Sequence, residues 1–349
     1  MTASPQAQAR KGPVTIRDVA ELAKVHPSTV SRAMNTATRS RVKDDTLERV
    51  LAAATTLGYR ANATARALRL QRSHSVGVIV PELTNPMVPP IVLGIESRLG
   101  DAGFVVILGS TAHSNERERL YIDAMTAHQV DGIITLAAYE NDEALDRARD
   151  LGIAIVLVNR AVDDGSIAAA VPHDRVCAEL AIAHLVELGH TRIAHVSGPL
   201  NTTTGFRRRY GYEESLVRRR LPFEPTFITV SEWFTTEAGR AACRELLARD
   251  VGFTAIVAGN DILALGCYDA LAEVGLSCPD DVSIVGCNDM PFCDRFDPPL
   301  TTVDIAPVEL GRTAAELFLD LLDDPDPSPR QVLIAPRLVV RGSTSAPRG

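Results

Sequence analysis

Residues 14–23, Val14-Thr-Ile-Arg-Asp-Val-Ala-Glu-Leu-Ala23, and residues 27–35, Pro27-Ser-Thr-Val-Ser-Arg-Ala-Met-Asn35, decide how the N-terminal part of this chain folds. In the first stretch Ile16, Val19, Ala20 and Ala23 recur at helical spacing, and Thr15 with Asp18 three residues on has the form of a capping box. The break Lys24-Val25-His26 follows. Pro27 then stands at the first position of a second helix, where its missing N–H removes no bond. Over 27–34 the spacing turns Val30, Ala33 and Met34 inward and Ser28, Thr29, Ser31 and Arg32 outward. Asp45, with Glu48 behind it, opens a third helix whose core side is Leu47, Val50, Leu51, Ala54 and Leu57, and Gly58 ends it.

Two short helices joined by a tight turn, the second polar and basic on its outer face, form the pattern of a DNA-reading helix-turn-helix. The hydroxyls and Asn35 suit phosphate oxygens, which set position, and the fork of Arg32 suits a guanine edge in the major groove. A plain three-helix bundle would share the core but has no need of an outward arginine beside three hydroxyls. Charge agrees. Residues 1–73 carry 13 Lys+Arg against 5 Asp+Glu, a net of +8, while the remainder carries 23 against 39, a net of −16. A basic head on an acidic body directs the head, and not the body, to a polyanion.

These residues closely resemble the opening of LacI/GalR (lactose-repressor/galactose-repressor) regulators. Thr46-Leu-Glu-Arg-Val50 and Leu57-Gly-Tyr-Arg-Ala-Asn62 continue the match. The resemblance implies that Thr15, Thr29, Ser31 and Asn35 anchor phosphates while Pro27, Ser28 and Arg32 meet base edges. Two departures stand out. Lys24 and His26 occupy positions where the family usually has Gly and Ser, so His26 is expected to cap the second helix less well than Ser or to contact phosphate. The loop 36–41 is also about two residues longer than its counterpart. Beyond it, Asn62-Ala-Thr-Ala-Arg-Ala-Leu68-Arg69 has the pattern of an amphipathic helix too short to be stable alone. By resemblance it is a hinge helix that orders on DNA, with Asn62, Ala65 and Leu68 at the minor groove and Leu68 as the wedge between base steps.

From residue 75 onward, short apolar runs at 76–80, 104–108, 132–136, 153–158, 192–197, 227–230, 255–258 and 282–286 alternate with amphipathic helical patterns such as 176–188 and 261–274. That alternation predicts parallel sheets covered by helices, with ligands at the carboxyl ends of the strands. The segments Leu83-Thr-Asn-Pro86, Asp131-Gly-Ile-Ile134, Leu188-Gly-His190, Arg208-Arg-Tyr-Gly-Tyr212, Ala258-Gly-Asn-Asp261, Val285-Gly-Cys-Asn-Asp289 and Pro298-Pro-Leu-Thr-Thr302 resemble the family's sensor. The implied fold is an α/β periplasmic-binding-protein-like body of two doubly wound lobes behind an all-α helix-turn-helix head. Matches of head and body together span nearly all of residues 14–342. By position the effector-contacting residues fall on Arg208, Phe234, Asn260, Asn288, Asp289 and Asn159. Each also has a plainer reading. Asn260 precedes a helix and caps it, Phe234 joins the core, and Arg208 sits in the run Arg207-Arg208-Arg209 as a solvated face.

The expected organisation is a disordered tail over 1–13, the reading head over 14–60, the hinge and linker over 61–73, and an effector-binding and dimerising body over 74–342. Its N-lobe is expected at 74–172 and 303–328, and its C-lobe at 173–302 and 329–342. The six cysteines lie between Cys177 and Cys293 without a C-x-x-C pair, which reads as reduced, buried thiols and no metal site. No phosphate-binding loop, dinucleotide fingerprint or nucleophile elbow is present, which argues against an enzyme, and no cofactor is implied. With no secretory signal and no membrane-length apolar run, the cytoplasm is the expected address. No leucine heptads follow Arg341, so the resemblance implies a homodimer rather than a tetramer. Its expected partners are palindromic operator DNA and a sugar-like effector that adjusts repression.

Overall fold

The computed structural model describes residues 14–34, 38–59, 72–138, 143–162, 165–324 and 328–348. Asn35, Asn62, Ala65 and Leu68 lie outside the described residues. The chain divides between Ser73 and His74 into two units.

The first unit is helical: α1 (Ile16–Ala23), α2 (Pro27–Met34) and α3 (Asp44–Leu57). At the start of α1 the Asp18 carboxylate accepts from both the backbone N–H and the hydroxyl of Thr15, each at 2.9 Å. Lys24 ends that helix in the left-handed region at φ 53°. The helix α3 begins at Asp44, one residue ahead of the expected Asp45. Lys43 makes no side-chain cap, and both aspartates sit in the first turn, where the exposed N–H groups favour negative charge. Gly58 takes the left-handed conformation at φ 62° that ends α3, as its position predicts. The core is built from Val19, Ala20, Ala23, Val30, Ala33, Val50, Ala53 and Ala54. Ala53 is fully inside where the spacing pointed to Leu51, and Leu47, Leu57 and Met34 pack from the rim. Helices this short approach closely, so alanines and valines fill the centre and longer side chains are pushed outward.

The second unit holds two parallel sheets. In the N-lobe β1 (Ser75–Val80), β2 (Val105–Ser110), β3 (Gly132–Thr135), β4 (Ala154–Val158), β5 (Ala168–Pro172) and β11 (Gln331–Ile334) lie in the order β11-β5-β4-β3-β1-β2. In the C-lobe β6 (Ile193–Ser197), β7 (Ile228–Val230), β8 (Ala255–Ala258) and β9 (Ser283–Val285) lie in the order β7-β6-β8-β9. Alternation sets which face each side chain meets. Val76, Val78 and Val80 point towards α4 (Val88–Asp101) and α11 (Pro307–Asp323), while Ile79, Ile133 and Leu157 face the layer of α5 (Asn115–Ala127) and α6 (Glu143–Asp150). The C-lobe sheet is covered by α7 (Asp174–Glu187) and α8 (Thr203–Arg218) on one side and by α9 (Thr236–Ala248) and α10 (Asp261–Glu273) on the other.

The chain passes between lobes around 172–174, 304–307 and 334–337, and the antiparallel pair β10 (Thr302–Asp304) with β12 (Arg337–Val339) lies at these crossings. One expected boundary moves. Residues 331–334 pair in parallel with β5 and so belong to the N-lobe, not to the C-lobe segment expected from 329. The run Gln-Val-Leu-Ile is a half-exposed edge strand, and the helix α11 before it supplies the crossover that a parallel neighbour requires. Strands β5, β10, β11 and β12 were not among the expected runs. They are short, and β5 is mostly alanine, a poor β-former. The C-lobe continues past residue 342. Buried Ser343 donates to the Ile284 carbonyl at 2.6 Å and accepts from the Thr301 N–H at 2.8 Å, fastening the last residues beside β9. Among the described residues no helix is long and apolar enough to cross a membrane.

Candidate ligand cleft and nucleic-acid interface

In the head, Ser28 and Arg32 are exposed on α2 and Thr29 and Ser31 half-exposed, on the side away from Val30 and Ala33. His26 caps this helix through its ring. Its Nδ1 accepts from the Ser28 backbone N–H at 3.2 Å and stands 2.8 Å from the Ser28 hydroxyl. An imidazole nitrogen thus takes the place of a serine oxygen, and the side chain expected to meet a base edge is steadied by it. At the other end of α2, Thr38 donates its hydroxyl to the Arg32 carbonyl at 3.1 Å and Arg39 donates Nε to the Ala33 carbonyl at 3.1 Å. These two residues of the longer loop close the helix C-terminus, a role the spacing alone did not reveal.

In the body, the carboxyl ends of the strands face a cleft of about 410 Å³ of atom-free space. Asn159, Arg208, Phe234, Asn260 and Asn288 all line it, joined by Pro81, Asn85, Leu136, Arg160 and Thr204. Pro81, Asn159, Asn260 and Asn288 each follow within three residues of the end of β1, β4, β8 or β9. This is where a parallel sheet gathers loops and leaves a crevice, at the point where strand order reverses. Asn85 lies in a motif already singled out by resemblance. Arg160 and Thr204 carry no separable signal, because their position depends on how the lobes meet.

Arg208 is buried and not part of a solvated run. Its Nε donates to Asp174 Oδ1 at 2.7 Å and its Nη1 to the Gly259 carbonyl at 2.8 Å. Burial pushes the Asp174 carboxyl above the usual carboxylate range, with the neighbouring guanidinium pulling the other way. Burial opposes the charge of Arg208, yet its pKa is raised, with the paired Asp174 carboxylate among the causes, and it is a fixed cation. Asn260 does two jobs. Its Oδ1 caps α10 by accepting from the Leu263 N–H at 2.9 Å, which leaves its amide N–H groups for the cleft. Phe234 presses on Gly198, where an added Cβ would come within 2.3 Å of the ring, so the residue after β6 must be glycine for the aromatic wall to stand. Asp289 is not in the lining. Its carboxylate pairs with Arg341 at 2.7 Å.

Asn159 and Asn288 are 7% and 5% exposed, and the Oδ1 of each has no hydrogen-bond partner among the described residues. Both have positive φ, 67° and 120°. Buried acceptors held without partners in unusual backbone conformations are costly unless something donates to them. Behind Asn288, buried Asp261 accepts from the Met290 N–H at 2.8 Å and the Thr302 hydroxyl at 2.5 Å, which fixes the loop. The cleft therefore offers a cation, donor amides, two open acceptors and an aromatic face, the set that recognises a small polyhydroxylated molecule. Among the described residues no cluster of His, Cys, Asp or Glu could hold a metal ion.

The family described as "Bacterial regulatory proteins, lacI family" matches residues 15–62, and "Periplasmic binding protein-like domain" matches residues 182–344. The HTH-type transcriptional repressor CytR of Escherichia coli (strain K12) is 32% identical over 342 residues, covering 98% of this chain and 99% of its own length. Among solved structures, the lac repressor dimer bound to operator and the anti-inducer ONPF aligns with a TM-score of 0.84 at 29% identity, covering 96% of this chain and all of that one. The complex of the transcriptional regulator CelR with cellobiose aligns with a TM-score of 0.72 at 29% identity, covering 95% and 99%.

Proposed function

The chain belongs to the lacI family of bacterial regulatory proteins, and on that premise we propose that it works in the cytoplasm as a homodimer on palindromic operator DNA, with a sugar-like effector in the cleft setting how tightly it holds. It is a DNA-binding transcriptional repressor under effector control and not an enzyme. The observation that carries the cleft reading is the pair of buried amide oxygens of Asn159 and Asn288, without partners among the described residues and lining the same space as Arg208, Phe234 and Asn260. Thr15, Thr29 and Ser31 position the head on phosphates, and Pro27, Ser28 and Arg32 face base edges. The roles of Asn35, and of Asn62, Ala65 and Leu68 as hinge contacts in the minor groove, rest on sequence alone. A homodimer is supported by the edge strand β2, where Val105 is 66% exposed and Ile107 and Leu108 are also exposed. Apolar side chains on an open sheet edge need a cover.

Coupling between cleft and head is a free energy and must be reciprocal. Thermal-shift screening of a metabolite panel identifies the effector, since a molecule that binds only the folded state adds stability by mass action. Calorimetric titration of that molecule with and without operator duplex then tests the reading. Different effector affinities are expected, and equal affinities would refute the coupling.

A further inference from the structure

The crossings between lobes and one ring contact stand at opposite ends of the cleft. The crossings lie beside β5, β11 and β9, where Asn288 also bridges Asp304 and Val285 bridges Thr301. The far ends are the edge strands β2 of the N-lobe and β7 of the C-lobe. Loops leaving those two edges meet. His113, three residues after β2, packs against Trp233, three residues after β7, with ring centroids 5.1 Å apart and planes tilted at 46°. Among the described residues it is the one ring contact that joins the lobes. His113 Nε2 also lies 3.4 Å from Glu82 Oε2.

Both partners adjoin the cleft wall, since Glu82 follows the lining residue Pro81 and Trp233 precedes the lining residue Phe234. Ala112 and His113 have φ of 49° and 61°, a left-handed bend in the residues that carry the imidazole across. Two consecutive non-glycine residues keep such a bend only where their contacts hold it.

We propose that His113 and Trp233 form a gate. The pair holds the lobes together across the mouth of the cleft and must part for an effector to enter or leave. Its place explains its leverage. If the lobes turn about their crossings, the greatest separation falls at β2 and β7, so a modest contact there resists opening more than the same contact beside β9. Trp233 remains 40% exposed, as a gate at a rim must be. The proposal rests on the reading of the cleft as the effector site, but its test needs no effector.

Trp233 is the only tryptophan of the chain, so its emission reports the gate directly. In the full chain, His113→Ala is expected to raise acrylamide quenching of Trp233. It should also speed amide hydrogen exchange over 85–88 and 198–204, on the two sides of the cleft and outside the His113–Glu82 contact. A ring pair of this kind shifts the ratio of open to closed forms by roughly two- to tenfold, and the exchange rates should follow. His113→Phe, which keeps a ring, is expected to restore both readouts, and Trp233→Ala should match His113→Ala in exchange. If quenching rises while exchange over 85–88 and 198–204 stays the same, the ring pair is a local surface contact and the gate is overturned. If neither changes, it is overturned as well. Either result leaves the effector reading standing, whereas an effector that binds Asn288→Ala as tightly as the parent would remove that reading and leave the gate.

Discussion

Arg32 and Arg208 show how one side chain type does two jobs through burial. Arg32 stands exposed on α2 with no ion-pair partner among the described ones, free to form a two-point contact with a base. Replacing it with Ala is expected to cost about 1–3 kcal/mol on the cognate duplex and to relax preference at one base pair. Equal losses on cognate and scrambled duplexes in a binding titration would remove it from base reading. Arg208 is instead locked by Asp174 and the Gly259 carbonyl, so part of its fork serves the fold. Asn288 is the cleaner handle on the ligand, because its Oδ1 has no other partner among the described residues. Asn288→Ala is expected to weaken effector binding by about 1–3 kcal/mol with little change in melting temperature, since only the ligand loses a partner. Calorimetry together with a thermal melt checks both halves.

At the scale of elements, β6 and α10 each bury a group whose ionisation opposes folding. His195 of β6 is stacked on Tyr212 at 4.7 Å, donates Nδ1–H to the Val257 carbonyl at 2.7 Å, and has its pKa lowered to about 4 by burial. As the pH falls from 6.5 towards 4 the unfolded chain takes this proton first, so stability is lost on acidification. Asp261 of α10 has its pKa raised to about 6, again chiefly by burial. Here the folded chain takes the proton first, so stability is gained as the pH falls from 6 towards 3.8. Each contribution is on the order of 2–4 kcal/mol and the two oppose each other. Against the parent, His195→Gln is expected to gain relative stability on acidification below pH 6 and Asp261→Asn to lose it. Denaturant melts across that range would show parallel curves if the assignments were wrong.

For the whole molecule, the exposed apolar edge at β2 predicts the assembly state. Ile107→Glu is expected to shift the proposed dimer towards monomer in sedimentation equilibrium and to weaken operator binding more than it weakens effector binding, because two heads on one duplex reinforce each other. An unchanged sedimentation profile would place the dimer contact elsewhere.

The sequence by itself determined the three short helices of the head, the alternation that makes two parallel sheets, and five of the side chains that meet in the cleft. The helices and the alternation follow from local spacing and from turn residues such as Gly58, whereas the five cleft side chains follow from the resemblance to the family's sensor. Tertiary structure alone decided that Asp289 turns to Arg341, that residues 331–334 complete the N-lobe sheet, and that His113 meets Trp233. Each depends on a partner far along the chain that local periodicity does not specify, and on the burial that sets which contact wins.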